Sequence, residues 1–334
     1  MRRGLRVRLD PYGPRPDPTA AEGPDPYGNP DPEWLEIDWR QFLHTINVPP
    51  ASSASPPGAA GSAEGTTVHY AEMRPPAAEQ HPLALVFVHG LSGCWQNWLE
   101  QIPEVAARHR VIALDLPGFG SSPEPEWEIS IPNYGRLLRD FCDAIEVRDC
   151  AVVGNSMGGF VAAEAVIEEP DRFERFGLVS AAGVSSTRLR REPTEVVARM
   201  LAAAAPYAFK LQERSFRRPR ARAMAFRNIF RHPDHLRPEL LWEFFAGGMR
   251  AEAFVEALGS LAGYDFQDRL EEVEMPTLIV WGRNDNIVPP GDALEYGRLL
   301  HNSRTVIFDE CGHVPMAERP VRFNRVLEAF LAEA

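Results

Sequence analysis

Val152-Val153-Gly154-Asn155-Ser156-Met157-Gly158-Gly159 is the stretch on which the reading of this chain turns. An apolar run of strand character enters G-x-S-x-G and leaves it as a helix. So abrupt a strand-to-helix turn forces the serine into a strained backbone conformation. The glycines two before and two after it, Gly154 and Gly158, remove side chains that would collide there. Ser156 Oγ is then presented at the tip of the turn. The helix N-terminus behind it aims unpaired N–H groups, that of Met157 first, at any oxyanion formed on an acyl carbon. Asn155 belongs to the same turn and is read as support for it.

A serine hydroxyl is a poor nucleophile until a base takes its proton, so the turn calls for a histidine and an orienting carboxylate downstream, in the order serine, acid, histidine. Asp285 follows the apolar run 277–281 through Gly282-Arg283-Asn284-Asp285, and His313 follows the run 305–308 in Cys311-Gly312-His313-Val314-Pro315. Asp285 can accept the Nδ1 proton of His313 and leave Nε2 free as the base. The run 176–179 offers no carboxylate before Glu192, which favours Asp285; Asp292 and Asp309 stay open as alternatives. Of the other histidines, His44, His69, His81, His109, His232, His235 and His301 read as surface or structural. His89 sits in His89-Gly90-Leu91-Ser92-Gly93, straight after the run 83–88, where a loop is expected to supply the second oxyanion donor. That donor is assigned to the Leu91 N–H. His89 is read as propping this loop, with lining of the site as the alternative, and Gly90 supports it.

Outward from these motifs, the 334 residues are 44% hydrophobic and 25% charged, close to the average of soluble globular proteins, which excludes collagen-like, coiled-coil and wholly disordered chains. A formal net charge of −12 argues against a nucleic-acid partner. Cys94, Cys142, Cys150 and Cys311 have no C-x-x-C spacing, so neither a metal site nor a disulfide framework is expected. The N-terminal Met1-Arg2-Arg3 is not followed by the apolar stretch of a signal peptide, and no run of about 18 apolar residues occurs. The expectation is a cytoplasmic protein without stable membrane insertion. No phosphate-binding loop or dinucleotide fingerprint is present, so no cofactor is expected.

Strands at 83–88, 111–114, 150–153, 176–179, 277–281 and 305–308 alternate with helices at 95–108, 132–145, 157–169 and 321–332, the pattern of an α/β core with a mostly parallel sheet. This core covers residues 66–184 and 265–334. Residues 185–264 hold no clear strand and are expected to form a helical cap. Residues 186–250 carry 14 Lys or Arg against 6 Asp or Glu, either a solvated basic face or an attraction for anionic substrates. Ala202 to Ala205, Pro206, Tyr207, Phe209, Phe216, Phe226 and Phe230 would either line an apolar pocket above Ser156 or pack the cap. Residues 1–65 hold twelve of the 31 prolines and read as an arm. Within it, residues 33–47 space Trp34, Leu35, Ile37, Trp39, Phe42, Leu43 and Ile46 like an amphipathic helix. That helix would pack on its own chain, or dock a partner or a second copy in a homodimer.

Taken together, His89-Gly90, Asp115-Leu116-Pro117-Gly118-Phe119-Gly120-Ser121-Ser122, the Ser156 turn, Gly282-Arg283-Asn284-Asp285 and Gly312-His313 resemble the α/β-hydrolase fold superfamily over residues 66–334. The resemblance implies eight strands, a cap inserted after the sixth, and a Ser156-His313-Asp285 triad beneath it. The superfamily's dehalogenases and epoxide hydrolases carry a carboxylate where this chain has Ser156. Hydrolysis of a small-molecule carboxylic ester is the first expectation. Carbon–carbon hydrolases of ring-fission dienoates have a similar serine turn, but usually a tryptophan directly after the histidine, where this chain has Val314. Cofactor-free haloperoxidases share the triad. The remaining alternative is an interaction protein on a hydrolase scaffold.

Overall fold

A computed structural model describes residues 25–49, 65–75, 83–189, 218–246 and 253–333. Eight strands form one sheet: β1 Leu43–Val48, β2 Thr66–Met73, β3 Ala84–Val88, β4 Arg110–Leu114, β5 Cys150–Asn155, β6 Phe173–Val179, β7 Thr277–Gly282 and β8 Ser303–Phe308. Their order is β1-β2-β4-β3-β5-β6-β7-β8. The first two strands pair antiparallel, as do β2 and β4, and every other pairing is parallel. Parallel strands point their carboxyl ends the same way, so the loops after β3, β5, β7 and β8 emerge along one edge.

Strand periodicity sorts the side chains into two cores. Val86, Val88, Ile112, Leu114 and Val152 face the helices Ile131–Ala144 and Met157–Glu168. Leu85, Phe87, Val111, Ala113 and Val153 face the opposite layer, which contains Phe323, Val326, Leu327 and Phe330 of the helix Pro320–Leu331. Burial on both faces explains why the central strands are uninterrupted apolar runs.

Two expected helices are replaced. Residues 33–47 form 3-10 turns at Glu33–Glu36 and Trp39–Gln41 and then strand β1. The Trp34 carbonyl, which an α-helix would give to an amide four residues on, accepts instead from Trp39 Nε1 at 3.0 Å. Leu43 to Val48 then satisfy the open edge of β2, from Leu43 opposite Ala71 to Val48 opposite Thr66. Trp34 is buried in the core of its own chain. The expected helix 95–108 is a 3-10 turn Trp95–Trp98 followed by a short helix Ile102–Ala106. The Trp95 N–H is drawn to the Asp115 carboxylate at 2.7 Å, and Pro103 opens the second piece.

Between β6 and β7 the described residues hold the helices Pro219–Phe226, Pro238–Ala246 and Phe254–Ser260. Phe226 and Phe230 are buried, with Phe226 stacked on Phe245 and Phe230 edge-on to Phe244. They pack the cap. Ala202 to Ala205, Pro206, Tyr207, Phe209 and Phe216 lie outside the described residues. None of the described helices is long and apolar enough to cross a membrane.

Candidate active site

Ser156 stands between β5 and the helix Met157–Glu168 at φ 55° and ψ −118°, a region that non-glycine residues rarely occupy. Its backbone is held there from the neighbouring strand. The Ser156 N–H donates to the Val179 carbonyl at 3.0 Å, and the Ser156 carbonyl accepts from Ala182 N–H at 3.0 Å and Gly159 N–H at 3.1 Å. Close approach fixes the glycines. A Cβ on Gly154 would overlap the Gly158 carbonyl, and one on Gly158 would overlap the carbonyls of Val88 and His89. A Cβ on Gly90 would meet Ser156 Cβ at 3.0 Å, so the loop after β3 lies directly against the serine.

His313 Nδ1 and Asp285 Oδ2 are 2.8 Å apart, both buried. The other carboxylate oxygen of Asp285 accepts from Ile287 N–H at 2.8 Å and Val288 N–H at 3.0 Å. A carboxylate so placed only accepts, so Nδ1 carries the proton and the Nε2 lone pair is left for chemistry. Asn155 links the two halves of the site: its Nδ2 donates to the Val179 carbonyl at 2.9 Å and to the His313 carbonyl at 3.4 Å. The alternative acids are engaged elsewhere, Asp292 with Ser185 N–H at 2.9 Å and Asp309 with Arg283.

His89 is buried, and both ring nitrogens are used. Leu116 N–H donates to Nε2 at 2.9 Å, so Nδ1 bears the proton and donates to the Gly90 carbonyl at 2.7 Å. Burial pulls its pKa down to about 4 and keeps the ring neutral. It braces the loop that carries Leu91. Beside it, Asp115 accepts from Trp95 N–H at 2.7 Å and Ser121 N–H at 2.8 Å while burial pushes its carboxyl up to about 6. Met157 is buried as the first helical residue after Ser156, and Leu91 is partly buried beyond Gly90.

Two residues of this neighbourhood escaped the sequence reading. Glu318 accepts from Gly312 N–H at 2.8 Å, Val314 N–H at 3.4 Å, Arg231 N–H at 2.8 Å and the Tyr27 hydroxyl at 2.5 Å. Its position five residues after His313 was the available signal; Tyr27, 291 residues away, gave none. Three of the cap's arginines have structural partners: Arg222 the Asp234 carbonyl at 3.0 Å, Arg231 the carboxylate of Glu310 at 3.2 Å, and Arg237 the Pro30 carbonyl at 2.5 Å.

Comparison with known proteins agrees with this architecture. A 2-hydroxy-6-oxononadienedioate/2-hydroxy-6-oxononatrienedioate hydrolase of Paraburkholderia xenovorans strain LB400 is 30% identical over 269 residues, 76% of this chain and 89% of that one. A pimeloyl-[acyl-carrier protein] methyl ester esterase of Aeromonas hydrophila is 28% identical over 252 residues, 74% of this chain and 94% of that one. A thermophilic esterase from Thermogutta terrifontis superposes with a TM-score of 0.67 at 22% identity, covering 86% of this chain and 98% of that chain. The family pattern for the alpha/beta hydrolase fold matches residues 84–320. With that match and the eight-stranded, mostly parallel sheet, the chain belongs to the α/β-hydrolase fold family and is a hydrolase.

Proposed function

We propose that the chain is a serine hydrolase of small-molecule carboxylic esters. Ser156 Oγ attacks the acyl carbon and His313 Nε2 takes its proton. Asp285 holds the imidazole and stabilises the imidazolium. The N–H groups of Leu91 and Met157 receive the oxyanion. His313 then protonates the departing alcohol, and a water activated by the same nitrogen releases the acid and restores Ser156.

The observation that carries this reading is the His313–Asp285 contact of 2.8 Å, on the same sheet edge as a serine at φ 55°. The four buried thiols suit a reducing, cytoplasmic setting. The test is a fluorophosphonate probe followed by p-nitrophenyl esters of rising chain length. Wild type is expected to be labelled at Ser156 and to hydrolyse the esters. Ser156→Ala is expected to lose labelling and at least roughly 10⁴-fold in turnover with its fold intact. Equal turnover in the two would overturn the reading.

A second reading keeps the same residues and changes the bond broken. The Paraburkholderia relative is named for cleavage of a 2-hydroxy-6-oxo dienedioate, and its 30% identity favours a carbon–carbon substrate. Against it, the residue after His313 is Val314, and the arginines at 222, 231 and 237 are each held by a partner within the protein. Faster hydrolysis of a ring-fission dienoate than of any ester would shift the assignment.

A further inference from the structure

His313 is fixed through its backbone as well as its ring. Its own N–H donates to the Ile229 carbonyl of the cap at 2.7 Å. The flanking N–H groups of Gly312 and Val314 both end on Glu318 Oε1, at 2.8 and 3.4 Å. Glu318 Oε2 is taken by Arg231 N–H at 2.8 Å and by the Tyr27 hydroxyl at 2.5 Å. One fully buried side chain therefore joins the histidine loop, the cap and the N-terminal segment.

The phenol is built into this junction. Tyr27 Oη also accepts from His232 N–H at 2.8 Å, and Gly28 N–H donates to the Glu318 carbonyl at 2.8 Å. The Arg319 guanidinium lies 5.2 Å over the Tyr27 ring and donates to the Asp25 carbonyl at 3.0 Å. The next residues are anchored separately, Asn29 on Glu100 at 3.1 Å and the Pro30 carbonyl on Arg237. All four partners of the Glu318 carboxyl can donate, which suits an ionised carboxylate: burial pushes its pKa up, and the donors pull against burial. Loss of the phenol would leave a buried acceptor short of a partner, and the loop that it holds would be the part to relax.

We propose that Tyr27 is a positioning residue for His313, acting through Glu318 to hold the histidine loop against the cap. The proposal rests on the reading of His313 as the base that activates Ser156. Small displacements of a general base cost rate far more than they cost substrate binding, so the effect falls on turnover.

The experiment uses the full chain and four proteins besides wild type: Tyr27→Phe, Glu318→Gln, the double variant, and Asn29→Ala, which loosens the same segment without touching the phenol. Each is assayed below its melting temperature for kcat and KM on p-nitrophenyl butyrate and for the rate of fluorophosphonate inactivation. Tyr27→Phe is expected to lose about tenfold in kcat and in inactivation rate with KM within about twofold. The double variant is expected to lose no more than Glu318→Gln alone, and Asn29→Ala to match wild type. Wild-type rates in Tyr27→Phe, multiplicative losses in the double variant, or an equal loss in Asn29→Ala would each overturn the positioning role. A folded wild-type chain that neither reacts with the probe nor cleaves the ester would overturn the parent reading instead, and that outcome is visible before any variant is made.

Discussion

Ser156 and His313 reach the same edge of the sheet by different means. The serine's turn is written into a few residues and clamped by the strands beside it: β5 ends, the backbone turns at φ 55°, Val179 and Ala182 hold it, and glycines at 154 and 158 let carbonyls pass where a Cβ would overlap them. The histidine is fixed from afar, by Asp285 on its ring, Ile229 of the cap on its N–H, and Glu318 with Tyr27 behind its loop. The first half of the site is announced by a short peptide and held by its sheet neighbours Val88, Val179 and Ala182; the second exists only once residues up to 291 positions apart have met. The Ser156 turn should therefore tolerate changes in the cap and the N-terminal segment, whereas His313 should respond to them.

The largest effect expected from this contrast is Asp285→Asn. An amide cannot accept from Ile287 and Val288 and also hold the same His313 tautomer through Nδ1, so turnover on p-nitrophenyl butyrate should fall by roughly 10⁴-fold. The protein should remain folded, with Ser156 still in its strained turn. A loss below about tenfold would mean that the ring is oriented by its loop rather than by the carboxylate.

This same contrast explains what the sequence could and could not disclose. The six parallel strands were legible because each contains a short apolar run, uninterrupted in the central strands that are buried on both faces, and Ser156, Asp285 and His313 because each follows one of them. Strand β1 was not: Trp34, Trp39, Phe42 and Ile46 fall at helical spacing, and only the open edge of β2 makes residues 43–48 extended. Likewise, nothing in Asp25-Pro26-Tyr27-Gly28 announces a phenol that ends on Glu318. Turn chemistry is local and shows in a few letters. Pairing partners and buried acceptors are long-range, so they become readable only in the folded chain.

A pH series sharpens the Ser156 half next. Folding lowers the pKa of His89 from its ordinary 6.5 to about 4, so its contribution to stability is present above pH 6.5 and is lost as pH falls toward 4. Folding raises that of Asp115 from 3.8 to about 6, so its contribution is present below pH 3.8 and is lost as pH rises through 6. The two oppose each other between pH 4 and 6. Between pH 6.5 and 4.5, urea unfolding of Asp115→Asn should show a fall of about 2 kcal/mol relative to wild type, because His89 is left uncompensated. His89→Gln should instead gain about 2 kcal/mol over that interval, through Asp115 alone. Parallel profiles for all three proteins would show that neither group titrates as its burial requires.

The smallest effects come from adding one methyl group to each half. In Gly158→Ala the new Cβ presses on the carbonyls of Val88 and His89, which belong to the central strand and its bracing loop and have nowhere to go. Destabilisation of about 2 kcal/mol is expected, together with loss of fluorophosphonate labelling, since the helix can yield only by dragging Ser156 with it. In Gly312→Ala the Cβ lies 2.6 Å from the Ile229 carbonyl and 3.0 Å from Arg231 N and Glu318 Oε1. Two of those atoms are cap backbone and the third belongs to a fully buried carboxylate, so the cap itself must move back by about half an ångström. The cost should be about 1 kcal/mol, with labelling slowed but retained. If Gly312→Ala proved as damaging as Gly158→Ala, the cap would be as rigid as the sheet, and the histidine loop would have to be regarded as part of the core that it touches.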